Sequence, residues 1–162
     1  MEIGEAIKQK SFRSEVEKAM INLSYTYSRL QVNFSTHLKE FDLTAPQFNV
    51  LRILRGQHPK PASVKLVTER MLDLSSNVSR LMDKLVAKGL VGRRVCEHDR
   101  RQVDLLITEK GLEVVAQSTE VLNNSMDSLN IDEQDAIACN RFLDALRTQI
   151  IQNKSENTSS EA

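Results

Sequence analysis

Apolar residues recur at helical spacing along most of this chain, and the pattern turns to strict alternation in one place only. From Ser11 onward Phe12, Val16, Met20, Leu23, Tyr27, Leu30, Phe34 and Leu38 step by three or four. Those steps predict one long helix ending near residues 38–41. Val16, Leu23 and Leu30 fall seven apart, as do Met20, Tyr27 and Phe34, which suits packing on another helix of the same chain or of a second copy. Thr44-Ala-Pro-Gln47 then predicts a helix start: Thr44 can cap, Gln47 can reach back, and Pro46 suits the first turn. Phe48, Leu51 and Leu54 give that helix a buried face, and Gly56 is expected to end it. His58-Pro59-Lys60-Pro61 is predicted extended, because a residue before proline is pushed out of the α region. Ser63 is expected to cap a third helix, with Val64, Leu66, Val67 and Met71 inward.

Asp73-Leu74-Ser75 reads as the turn into a fourth helix capped by Ser75, with Val78, Leu81, Met82 and Leu85 inward and Gly89 at its end. The alternating stretch follows. Residues 90–96 and 102–107 are predicted strands, with Val103, Leu105 and Ile107 inward and Gln102 and Asp104 toward solvent. Between them lies a charged tip, Glu97-His98-Asp99-Arg100-Arg101. Thr108 to Gly111 opens a further helix with Leu112, Val115, Ala116, Thr119, Leu122 and Met126 on one stripe. Asn130-Ile131-Asp132-Glu133 is a capping pattern for the last, whose apolar side holds Ile137, Phe142, Leu143, Leu146 and Ile150. Residues 1–10 are expected to be loosely ordered or the first turns of the long helix, and residues 152–162 to be disordered for want of apolar side chains. The fold class is therefore mostly α, with one small β element (α+β).

Composition narrows the class. A chain of 162 residues can bury one ordinary core, and 40% hydrophobic with 27% charged residues is the balance of a soluble globular protein. No apolar run approaches the roughly 20 residues that cross a bilayer, and the first residues are too polar for a signal peptide. Two cysteines, Cys96 and Cys139, make no disulfide framework. These features together predict a cytoplasmic protein with no membrane partner. The formal net charge of zero conceals an asymmetry. Between Lys60 and Arg101 ten Lys or Arg face five Asp or Glu, leaving the remainder acidic. A basic block of this kind suits contact with a polyanion, although a solvated charged surface explains a charge count equally well.

Two short helices joined by a turn, followed by a hairpin with a basic tip, are the parts of a winged helix-turn-helix. Ser75, Ser76, Asn77, Ser79, Arg80 and Lys84 are left off the apolar stripe of the second of these helices. Small side chains allow close approach to base edges in a major groove, and Asn and Arg offer bidentate hydrogen bonds to A and G. An Arg at a ribbon tip can enter the adjacent minor groove. Arg101 is placed for that, with Asp99 two residues earlier to orient it and Arg100 beside it. The competing readings are a solvated helix face and an exposed ion pair worth at most about 1 kcal/mol. No Ser-His-Asp set, glycine-rich phosphate loop or framed carboxylate pair points to an enzyme, and no cofactor is implied. Cys96 shares the hairpin with His98, and Arg93, Arg94 and Arg100 could lower its thiol pKa, so a redox- or metal-responsive switch is the alternative. A metal usually needs three or four ligands, and His37 and His58 are distant in sequence, so no metal set is expected.

Over residues 12–151 the chain resembles the MarR family of bacterial transcriptional regulators. The resemblance rests on Lys88-Gly-Leu-Val91, Arg93, Asp99-Arg-Arg101 and Leu106-Ile-Thr-Glu-Lys-Gly111, similar to the family's wing pattern with Ile107 for the usual Leu. Leu74-Ser-Ser-Asn-Val-Ser-Arg-Leu81 is similar to its recognition helix. The resemblance implies a homodimeric repressor on a pseudo-palindromic double-stranded operator, released by a small-molecule effector, aromatic or amphipathic. It implies terminal helices that interlock two copies, with Phe12, Val16, Phe142, Leu143, Leu146 and Ile150 as candidate contacts. It also implies an effector crevice for which Tyr27, Phe34 and Phe48 are the candidate walls, with plain core packing as the stronger competing reading of each. The expected organisation is a dimerisation helix over 1–43, a winged helix-turn-helix over 44–111, dimerisation helices over 112–151 and a tail over 152–162. Two departures stand out: the stretch from Leu66 to Ser75 is longer than the family pattern, and Gly92 stands where a polar residue is frequent, which predicts a bulged or short strand. The hydroperoxide-sensing branch uses a cysteine in the first helix, and this chain has none there.

Overall fold

The computed structural model describes residues 1–95 and 103–159, with side chains as far as 153. It divides into two compact units, Met1–Leu122 and Asn123–Ala162. The first opens with a short separate helix, α1 (Ile3–Ala6), where loosely ordered chain or the first turns of the long helix were expected. Buried Ile3 anchors it, and Glu2 and Glu5 form a reciprocal cap. The long helix α2 (Glu15–Lys39) starts at Ser14, whose side chain accepts from Glu17 N–H, so Phe12 lies before the helix rather than on its stripe. Of its residues only Leu38 is buried.

Helix α3 (Ala45–Gln57) carries the expected Thr44–Gln47 capping box and runs one residue past Gly56. Val50, Leu51 and Leu54 on α3 form the centre of the core with Val67 of α4 (Val64–Arg70) and with Met82 and Leu85 of α5 (Val78–Ala87). Ser63 caps α4 as expected, its hydroxyl accepting from Leu66 N–H. The connection from α4 to α5, residues 71–77, is longer than the three or four residues, roughly, of a tight helix-turn-helix turn.

The sheet has three strands rather than the hairpin alone. β2 (Val91–Val95) and β3 (Val103–Ile107) pair antiparallel, and β1 (Ala62–Ser63) adds to the free side of β3 through Ala62 opposite Leu105 and Ser63 opposite Asp104. A two-residue strand beside Pro61 has no alternation to betray it, so only the pairing reveals it. At Gly92, where a bulged or short strand was expected, there is no bulge: Val91 faces Ile107, Gly92 faces Leu106 and Arg93 faces Leu105 in unbroken register. Leu105 and Ile107 point into the core as expected, but Val103 is exposed, because it pairs with Val95 where the ribbon leaves the body of the unit. The tip residues Cys96, Glu97, His98, Asp99, Arg100, Arg101 and Gln102 lie outside the described residues.

Helix α6 (Glu109–Asp127) begins where Thr108 joins three elements: its hydroxyl donates to Gly89 O at 2.8 Å and accepts from Gly111 N–H at 3.0 Å. Gly111 is required there. A Cβ on it would overlap the carbonyl oxygen of Leu90 and lie 2.8 Å from Ile107 Cγ1. In the second unit α7 (Glu133–Ser159) is capped by Asp132, which accepts from Gln134 N–H at 2.8 Å, in place of the expected Asn130. Asn130 adopts φ 49° and serves the turn instead. The segment over 152–159, expected to be disordered, continues α7. It contains neither Gly nor Pro, and extending a formed helix costs little once it is nucleated.

Candidate nucleic-acid interface

α5 is sharply two-sided. Val78, Met82 and Leu85 are buried, while Ser79, Arg80, Asp83 and Lys84 are exposed. Arg80 and Lys84 have no acidic partner among the described residues. Asp83 is engaged: Arg93 of β2 donates to it at 2.6 Å and reaches Ser79 O at 3.4 Å, tying the strand to the helix. Arg94 pairs across the sheet with Asp104 at 3.3 Å. Of the three arginines that the sequence placed near Cys96, Arg93 and Arg94 are thus occupied within the fold, and Arg100 lies outside the described residues. Lys88 is likewise turned inward, its ammonium on the carboxylate and carbonyl of Asp42.

The start of α5 differs from expectation. Asn77, not Ser75, is the cap, its side-chain oxygen accepting from Arg80 N–H at 3.0 Å. Ser75 and Ser76 belong to the preceding turn, organised by Asp73. The carboxylate of Asp73 accepts from Ser75 N–H at 2.9 Å, Ser75 Oγ at 2.7 Å and Ser76 Oγ at 2.9 Å. The Ser75 hydroxyl first, then the Ser75 amide and the Ser76 hydroxyl, hold the Asp73 carboxyl below its ordinary range. An aspartate that can take all three hydrogens outcompetes a serine for the turn, and Asn77 is left nearest the first helical amides. Both hydroxyls therefore spend their protons inside the turn and show lone pairs outward. Asn77 keeps its amide hydrogens to donate.

The remaining candidates are scattered. Phe12 is half-buried, close to Gly4 and under the Lys18 ammonium at 5.9 Å from the ring centre. Val16, Phe142 and Ile150 are exposed, and Leu143 and Leu146 are half-buried. Phe48 is in the core and Phe34 packs against it. Tyr27 is exposed, its hydroxyl accepting from Gln31 at 2.5 Å. Cys139 is an exposed free thiol. Among the described residues no three His, Cys, Asp or Glu side chains gather to hold a metal ion. Asn49 escaped the sequence reading: its side-chain oxygen accepts from Leu72 N–H at 2.9 Å and holds the turn onto α3. A polar residue between Phe48 and Val50 was the available signal.

Known proteins resemble the chain in both sequence and shape. A profile of the MarR family matches residues 41–102. The HTH-type transcriptional regulator YkoM of Bacillus subtilis is 30% identical over 131 residues, covering 76% of this chain and 83% of that protein. The crystal structure of a MarR transcription factor from Planctomyces limnophilus aligns with a TM-score of 0.63 at 26% identity, over 87% of this chain and 99% of that one. The fold is shared also by Bordetella bronchiseptica BpsR, with a TM-score of 0.70 at 23% identity, over 81% of this chain and 99% of that one. The DNA binding of BpsR is regulated by 6-hydroxynicotinic acid.

Proposed function

The chain belongs to the MarR family of transcriptional regulators, and from that premise we propose a homodimeric repressor that grips a pseudo-palindromic operator and lets go when a small molecule binds. The observation that carries this reading is α5, with its buried stripe of Val78, Met82 and Leu85 behind an exposed face on which Arg80 and Lys84 lack acidic partners among the described residues. Ser79 and Arg80 sit in its first turn, Asn77 caps it, and Ser75 and Ser76 precede it. These residues would face the major groove, while Arg101, steadied by Asp99 and accompanied by Arg100, would reach the minor groove.

Dimerisation has a separate support. α2 buries one residue in its whole length and α7 none among its described side chains, yet both carry exposed apolar side chains, Val16 and Leu30 on one, Phe142 and Ile150 on the other. Helices of such length derive most of their stability from a packed face, and a second copy would provide it. Two identical readers then meet half-sites about one helical turn apart. For the effector, Phe34, packed against the core that contains Phe48, and the exposed Tyr27 ring offer aromatic surface in the first unit, and BpsR supplies the precedent of a small aromatic acid. A bound dimer would block transcription by occupying the promoter.

The test is anisotropy of labelled duplexes, selected from a random pool, at about 50 and about 200 mM salt. Affinity is expected to fall on the order of 1,000-fold as phosphate contacts lose the benefit of counterion release. Arg101→Ala is expected to weaken binding more than Arg13→Ala, and equal effects would remove the wing assignment. A protein that ignores every duplex at low salt removes the whole reading.

A further inference from the structure

Two leucines sit where no packing explains them. Leu72 is 81% exposed and Leu74 is 93% exposed, more than any other large hydrophobic among the described residues except the terminal Met1. They lie two apart on the turn that leads into α5, with Asp73 between them folded back onto Ser75 and Ser76. The turn is built rather than loose. Asn49 holds the Leu72 amide at 2.9 Å, and the Ser76 amide donates to Asp73 O at 3.2 Å. Fixing a turn so that both apolar side chains project outward has a cost in water that a partner must offset.

We infer that Leu72 and Leu74 read thymine, by laying their side chains against 5-methyl groups in the major groove. The inference rests on the DNA-binding reading above and extends it to residues outside α5. Three features select this occupant. The turn is continuous with the Asn77 cap, so it approaches whatever the first turn of α5 approaches. Arg70 and Arg80 flank it, both exposed and without acidic partners among the described residues, which favours a polyanion over an apolar protein face. Thymine alone among the four bases presents a methyl group in the major groove, and apolar side chains are its natural contact.

Replacing thymine by deoxyuridine removes that methyl and leaves every hydrogen bond intact. The experiment uses the full chain and its selected duplex, with each thymine replaced singly. At one or more positions in each half-site, the wild-type protein should lose about fourfold in affinity per methyl, the worth of roughly one buried carbon. Leu72→Ala and Leu74→Ala should bind thymine and deoxyuridine duplexes alike at those positions, with Leu74→Met restoring part of the ratio. The slope of affinity against salt should stay unchanged, since no charge is involved. Wild-type indifference to every replacement overturns the inference, and so does an undiminished ratio in both alanine variants. A shift in the sedimentation of the free protein with the ratio intact would make the leucines a protein contact and overturn it too. Failure to bind any duplex is a different result, which removes the DNA reading itself.

Discussion

Gly111 shows how much one missing carbon can decide. Its amide is held by Thr108 while the Leu90 carbonyl and the Ile107 side chain close over the place a Cβ would take. Gly111→Ala should therefore lower unfolding free energy by about 1–3 kcal/mol, the usual range for forcing extra volume into a packed site. Gly56 provides the control, because nothing lies within 4 Å of its would-be Cβ, near the end of α3. Gly56→Ala should be neutral or stabilise by up to about 1 kcal/mol. Urea denaturation of the two variants checks both, and equal midpoints would show that the Leu90–Gly111 contact tolerates a Cβ after all. The spacing of the Leu-x-Thr-x-x-Gly type motif was visible in the sequence, but its reason was not. The overlap partner is twenty-one residues away along the chain, and only folding brings it near.

At the scale of elements, α5 is where sequence and structure diverge most usefully. Its stripe of Val78, Met82 and Leu85 could be read directly from spacing, as could the Thr44–Gln47 and Ser63 caps. Its start could not. Asp73, Ser75, Ser76 and Asn77 are all capable caps, and local pattern does not rank them. The ranking comes from Asn49, which pins Leu72, and from the three hydrogen bonds that commit Asp73 to the turn. With that settled, Asn77→Ala should cost about 1 kcal/mol in unfolding free energy, while Asn77→Ser should cost much less. Preference among bases should relax in the alanine variant, since the amide that would face the major groove is gone. A uniform fall on all duplexes would instead make Asn77 a cap alone. The sheet teaches a similar lesson: β1 is too short for any period, and exists because Ala62 and Ser63 find the free side of β3.

For the molecule as a whole, the exposed apolar side chains of α2 and α7 set the expectation of a second copy. Val16→Lys or Ile150→Lys should convert dimer to monomer in sedimentation, with helical content retained. Operator affinity should fall on the order of 100-fold, since each reader then binds its half-site without the effective concentration supplied by its twin. Wild-type protein that sediments as a monomer, or lysine variants that stay dimeric with full affinity, would remove the proposed interface.

By itself the sequence determined the periods: long helices at both ends, a short-helix pair with a polar face, one alternating ribbon, and the basic excess between Lys60 and Arg101. Such features depend on neighbours three or four residues apart, so they survive without any knowledge of the fold. Only the tertiary structure decided which basic groups stay available, because Arg93, Arg94 and Lys88 are drawn to Asp83, Asp104 and Asp42 by contacts made across elements. It likewise decided that Leu72 and Leu74 face water, since burial is a property of what packs above a side chain and not of the side chain's own chemistry.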